Sequence, residues 1–281
     1  MENNWKSFHV FVWDYSLFDE IIENTYKYFE EVNIEKAFFI RYWEGGPHLR
    51  FRIETPLAYE NSKRIFENML NQISEHNPYL ERITLNKKQF YESSFLDGQN
   101  INIEKLPWYP NLSVYQIPYN REFDRYGGEN LINLSEECFV DSSKVAVQVI
   151  RTDKRQSYKV TFFFTFVSFI LKNVVCEEDD IRTLLNMAAN FWEKAEIKRI
   201  LGVDKSKKVI KLSQYIEIDT LMHDVLEKLI QVYIEVNNIN HDYALSVIFS
   251  HIHMFANRLG IPIGIELDCY KSLLEVINET R

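Results

Sequence analysis

Cysteine is scarce: Cys138, Cys176 and Cys269 stand far apart with no CxxC pair, so the sequence offers neither a disulfide framework nor a zinc site. Basic blocks are missing too. The net charge is −9 and no run is rich in Lys or Arg, whereas a protein that grips a phosphate backbone usually carries a basic face. Direct binding of nucleic acid is therefore not expected, and the acidic balance fits solubility. Residues Met1 to Ser7 are polar and lack the basic start and apolar run of a signal peptide, which places the chain in the cytoplasm. The longest uncharged stretch of note, Val160 to Leu171, holds five Phe but falls short of the roughly 20 apolar residues a bilayer needs. No membrane span is expected there, only a buried helix or strand. Tracts of low complexity and repeats are absent, which excludes solenoids. So are GxSxG, P-loop, GxGxxG and HExxH, and neither a cofactor nor a metal is expected.

What is present is aromatic bulk: 20 Phe and 16 Tyr, in a chain with 46% hydrophobic residues, predict a bulky packed core. Ser7 to Trp13 is β-branched and aromatic, a strand. Asp14 to Val32 sets Leu17, Ile21, Ile22, Tyr26 and Phe29 at helical spacing. Lys36 to Trp43 and His48 to Glu54 flank Glu44-Gly45-Gly46-Pro47, a hairpin signal. A helix from Ala58 to His76 ends at Asn77-Pro78, and after an irregular stretch Asn111 to Tyr119 reads as another strand. The order β-α-β-β-α-β is ferredoxin-like. From Gly128 onward the character is helical, with helices expected over Ser157 to Val175, Asp179 to Ile200, Leu212 to Asn237, His241 to Arg258 and Leu267 to Ile277. The expected fold class is α+β: a ferredoxin-like antiparallel sheet half (1–127) packed against a helical C-terminal half (128–281) in one domain. A cleft between the halves is the natural place for a site.

Three segments could carry chemistry. In His48-Leu49-Arg50-Phe51-Arg52, period-2 alternation puts His48, Arg50 and Arg52 on one face. Guanidinium forks match carboxylates in bidentate fashion, so this face suits an anion; the plain alternative is a solvated strand face. Arg125-Tyr126-Gly127-Gly128 is a tight turn just before a helix, whose free N–H groups also favour anions, unless it is an ordinary loop. In the helix around Ser250 to Arg258, His253 and Asn257 share a face, and His253 has the protonation range of a general acid or base. A lone histidine in an aromatic helix is otherwise a satisfied core residue. His9, His76, His223 and His241 have no companions that raise them above background, and the acids from Glu177 to Asp180 read as a solvated helix start.

In order, Phe38-Phe39-Ile40-Arg41-Tyr42, His48-Leu49-Arg50-Phe51-Arg52, Arg125-Tyr126-Gly127-Gly128 and His253-Met254-Phe255-Ala256-Asn257-Arg258-Leu259-Gly260 resemble the C-terminal glutamate-elimination domain of lantibiotic dehydratases. The same unit is found as a stand-alone thiopeptide-type bacteriocin biosynthesis protein. The resemblance runs from about Trp5 to Leu274. It implies a lyase that removes glutamate from glutamylated Ser or Thr of a precursor peptide, leaving dehydroalanine or dehydrobutyrine. It assigns His253, Arg50, Arg52 and Arg125 to catalysis, and His48, Tyr126 and Asn257 to substrate binding. Two departures stand out. The family's acidic turn is Glu44-Gly45-Gly46-Pro47 here, and the chain starts directly at its first strand, without the large glutamylation domain. That start implies a split system, in which a separate protein draws glutamate from glutamyl-tRNA; the resemblance also allows a homodimer. Two other roles fit the same scaffold: a thiopeptide pyridine synthase that joins two dehydroalanines by cycloaddition, and a silent protein that holds the precursor on a sheet edge. A cycloaddition site has less use for several arginines and a histidine together.

Overall fold

The computed structural model describes residues 5–93, 102–216 and 220–279, and the chain divides into two compact units, Met1–Asn120 and Arg121–Arg281. Arg125, Tyr126 and Gly127, expected in the sheet-bearing half, belong to the second unit.

In the first unit β1 (Lys6–Phe11), α1 (Phe18–Glu31), β2 (Lys36–Tyr42), β3 (His48–Glu54), α2 (Tyr59–His76), α3 (Lys87–Ser93) and β4 (Ser113–Gln116) follow in sequence. The strands form one antiparallel sheet in the order β2-β3-β1-β4, which is the expected ferredoxin-like arrangement. Strand alternation sorts the residues by face. Phe8, Val10, Phe39, Leu49, Phe51 and Ile53 are buried on one face, where Phe29 of α1 and Phe66 of α2 meet Phe51 edge-on and tilted. The opposite face carries His9, His48, Arg50 and Arg52. The register sets it: Ser7 lies opposite Arg52, His9 opposite Arg50 and Phe11 opposite His48, with Phe38, Ile40 and Tyr42 of β2 on the far side of β3.

The second unit is helical: α4 (Ile132–Thr152), α5 (Gln156–Ile170), α6 (Glu178–Lys194), α7 (Gly202–Ser213), α8 (Thr220–Asn237), α9 (His241–Leu259) and α10 (Ile263–Glu279). The Phe-rich run is α5, extended by a π-helical turn over Leu171–Val175. Together these make a segment, Gln156–Val175, long and apolar enough by length and composition to cross a bilayer. It is nonetheless packed against α4, α7, α9 and α10, with Phe163, Phe164, Val167 and Ile170 fully buried, as expected of a helix apolar all round. Of the expected helix Leu212 to Asn237, Thr220–Asn237 is α8, while Leu212 and Ser213 close α7, a helix that was not expected.

Asp268 ties α10 to α7. Its buried carboxylate accepts from the backbone N–H groups of Ile200 (2.8 Å), Leu201 (2.6 Å) and Gly202 (3.1 Å) at the start of α7, and from Arg199 Nε (2.7 Å). Asp268→Ala leaves Arg199 Nε and three backbone N–H donors without their acceptor, although Glu275 and Ser272 still hold the rest of the guanidinium, so a loss of about 3 kcal/mol is expected in the urea unfolding free energy.

Candidate functional site

On the first unit, the turn between β2 and β3 sets the geometry. Gly46 O accepts from His48 Nδ1 at 2.8 Å, which leaves Nε2 with its lone pair, and Arg50 Nε donates to that nitrogen at 3.1 Å. The Arg50 guanidinium carbon also lies over Tyr42, 3.3 Å from the ring centroid, and that of Arg52 lies over Tyr119 at 5.2 Å. His48 is fully buried, and Arg52 nearly so, which rules out a solvated strand face here. Burial, with Arg50 and Arg52 adding repulsion, pushes the His48 imidazole down to about 3. His9, set aside as background from sequence, stacks on His48 at 4.9 Å directly across from Arg50, and the same causes drive its imidazole well below the usual range.

On the second unit, Arg121 clamps the loop before α4 by two bonds to the buried Glu136, at 2.9 and 2.7 Å. Gly127 then takes φ +91° and donates its N–H to Tyr243 OH of α9 at 3.1 Å; a Cβ there would meet Leu131 Cβ at 2.9 Å. The loop thus holds Arg125 beside α9, where its Nε reaches Ser250 Oγ at 3.5 Å and its Nη1 pairs with Glu122 at 3.3 Å. Arg125 stays exposed. Tyr126 is buried edge-on against Phe139 and His251, and burial raises its phenol to about 12.

His253 sits three residues beyond Ser250, on the same face of α9. Its Nδ1 lies 3.0 Å from Glu266 Oε2, and its side chain keeps 19% exposure while Glu266 is buried. A carboxylate can only accept, so Nδ1 carries a proton, and in the neutral imidazole the lone pair is on Nε2. Glu266 is itself held by Tyr270 OH (2.6 Å) and Trp192 Nε1 (3.3 Å), and the Trp192 ring packs 5.0 Å from the His253 ring. Gly260, left-handed at φ +69°, ends α9 and lets Pro262 open α10, which folds Glu266 back to His253. Asn257 is half-buried one turn beyond His253. Glu266, Trp192 and Tyr270 were not anticipated from sequence, because Glu266 is separated from His253 by a turn rather than by a helical period. The structure therefore gathers Arg125, Tyr126, His253 and Asn257 within the second unit and His48, Arg50 and Arg52 within the first. Among the described residues no group of His, Cys, Asp and Glu could hold a metal ion.

His251, fully buried with Nε2 at 3.3 Å from Ser135 Oγ, is pushed down to about 3 by burial and by Arg258 and Arg125. His48, His9 and His251 are thus neutral when folded but take up protons near 6.5 when unfolded. Protons then bind preferentially to the unfolded chain as pH falls from 6.5 toward about 3. Each such histidine is expected to remove up to about 1.4 kcal/mol of stability per pH unit in that window. Urea midpoints measured from pH 6.5 to 4.5, above most carboxylate titration, check this; a flat profile contradicts it.

The family model described as "Lantibiotic biosynthesis dehydratase C-term" matches residues 5–277. No curated protein matches the chain. Among solved structures, the pyridine synthase TbtD from thiomuracin biosynthesis is similar over 99% of this chain and 98% of its own, at 12% identity and a TM-score of 0.60. TsrL is similar over 98% of this chain and 94% of its own, at 12% identity and a TM-score of 0.57. The tRNA-dependent lantibiotic dehydratase MibB from Microbispora sp. 107891 aligns with 99% of this chain over 29% of its own, at 15% identity and a TM-score of 0.48. The likenesses to TbtD and TsrL establish a shared fold. The match over nearly its whole length places the chain in the lantibiotic biosynthesis dehydratase C-terminal family, whose members modify ribosomally made peptides.

Proposed function

We propose that the protein eliminates glutamate from glutamylated Ser or Thr residues of a precursor peptide, leaving dehydroalanine or dehydrobutyrine. The observation that carries this reading is the His253–Glu266 pair, which orients a partly exposed imidazole so that Nε2 can hold the lone pair, on the helix face that Arg125 reaches through Ser250. A base of this kind is what β-elimination needs. His253 Nε2 takes the Cα proton, the electron pair passes through the enolate of the peptide carbonyl to form the Cα–Cβ double bond, and the Cβ–O bond breaks to release glutamate as a carboxylate. Arg125 is assigned to the negative charge that develops during this sequence. Arg50 and Arg52 are assigned to glutamate carboxylates, which their guanidinium geometry suits. The substrate is an ester, so a separate glutamylating protein that draws on glutamyl-tRNA is the proposed supplier.

The pyridine synthase likeness at 12% identity and the elimination reading share one fold, so chemistry must separate them. Joining two dehydroalanines releases no anion, whereas elimination discharges a carboxylate for every residue processed. The test offers the protein two peptides, one with pre-formed glutamyl esters and one with dehydroalanines already in place, and reads product masses. Loss of glutamate from the first peptide, abolished in Arg125→Ala, supports elimination. Ring closure of the second peptide, with the first untouched, moves the assignment to cycloaddition. Precursor bound but unchanged in both cases moves it to a holding role.

A further inference from the structure

The cationic face of the first unit's sheet has a second row of polar groups that the reaction above does not use. Ser7 is 3% exposed and His9 4% exposed, yet among the described residues Ser7 Oγ and His9 Nε2 have no hydrogen-bond partner. Buried polar atoms are ordinarily satisfied, and leaving one unmade is costly. The two are not scattered. Register places Ser7 directly across from Arg52 and His9 directly across from Arg50, so two polar side chains and two guanidiniums form adjacent rows on one face. Glu54, a carboxylate at the end of β3, pairs with Lys36 at 3.7 Å.

From this array we infer that Ser7 and His9 are ligand-binding residues which, with Arg50 and Arg52, form a subsite for the side-chain carboxylate of the glutamyl group. Charge decides the sign of the ligand. With two guanidiniums opposite, an ammonium or a second cation is repelled, and a carboxylate is attracted. His9 is held neutral by burial and by the arginines, so with the proton on Nε2 it donates there, as Ser7 does through its hydroxyl. Chemistry decides which carboxylate. A glutamyl group delivered from tRNA is esterified through its α-carboxyl, so the side-chain carboxylate is its one free acid before elimination. The subsite therefore distinguishes a glutamyl from a glutaminyl ester, because the amide lacks the charge and the second acceptor oxygen. This inference rests on the elimination reading for its substrate, but its geometry belongs to the first unit alone.

The test uses the full-length chain, with free L-glutamate as the probe in calorimetric titration and L-glutamine as the uncharged control. Wild type is expected to bind L-glutamate in preference to L-glutamine. Ser7→Ala and His9→Phe are each expected to weaken L-glutamate binding, and to raise KM for a glutamylated peptide, by about tenfold, the size of one hydrogen bond to a charged group. In both variants kcat is expected to stay near wild type, and His9→Gln, which restores an N–H donor, recovers much of the loss. Removal of an orphaned polar atom is expected to leave the melting temperature unchanged or higher, and Ser7→Ala keeps the test alive if the larger change disturbs folding. Wild-type affinity and KM in both variants overturns the subsite while leaving elimination standing. His9-dependent binding of L-glutamate by a protein that releases none from the peptide upholds the subsite and overturns elimination.

Discussion

Replacing His253 with alanine is expected to lower the rate of glutamate release by about 10²–10⁴-fold, the usual contribution of a positioned general base. The side chain is 19% exposed and its bond to Glu266 is one of three that the carboxylate accepts, so Glu266 keeps Tyr270 and Trp192 as donors and folding should survive. The loss should fall on kcat rather than on KM, because the imidazole acts on the proton that moves and not on the glutamyl group. Rapid-quench measurement of released glutamate, beside a thermal melt, checks both halves. A variant that turns over like wild type would make His253 a core histidine and remove the chemical reason for the elimination reading.

Glu266 carries the second large effect, and two substitutions divide it. In Glu266→Ala, Tyr270 OH, Trp192 Nε1 and His253 Nδ1 all lose a buried acceptor, and a stability loss of about 3–5 kcal/mol is expected. In Glu266→Gln the shape is kept and one oxygen still accepts from Tyr270 or Trp192. An amide N–H turned to His253, however, makes Nδ1 the acceptor and moves the proton to Nε2, where the base is needed. The amide variant should therefore fold like wild type yet lose about 10²–10⁴-fold in rate, as a base held in the wrong tautomer does. Equal losses of stability in both variants, with activity following stability, would assign Glu266 to packing alone.

Where one element holds all the partners, the sequence was readable. His48–Glu54 begins and ends where alternation places it, because a strand's period is local, and the ferredoxin-like order of the first unit follows from such runs. α4 was harder to see: its start was marked by the paired glycines, but its buried positions mix Ser135, Glu136, Ser142 and Ser143 with Phe139, Val145 and Val149, so the apolar stripe is broken. α7 falls between the expected helices Asp179 to Ile200 and Leu212 to Asn237 and was not anticipated, because its run Asp204-Lys205-Ser206-Lys207-Lys208 leaves few apolar positions to show a period. The same limit applies to function. The HLR strand, the RYGG turn and the His253 helix were legible because each motif is contiguous. His9 gains its significance from strand register with Arg50, and Glu266 from the turn at Gly260, and neither relation has a sequence spacing to read.

The most direct measurement of the proposed chemistry is the rate of glutamate release from a precursor whose glutamylated serine carries deuterium at Cα, against its protio twin. If His253 removes that proton in the course of elimination, the deuterated peptide releases glutamate more slowly, or loses its label to solvent from unreacted substrate, and in His253→Ala both glutamate release and label loss fall by about 10²–10⁴-fold. Glutamate released at the same rate from both peptides with the label retained in unreacted substrate, or no glutamate released at all, would contradict it.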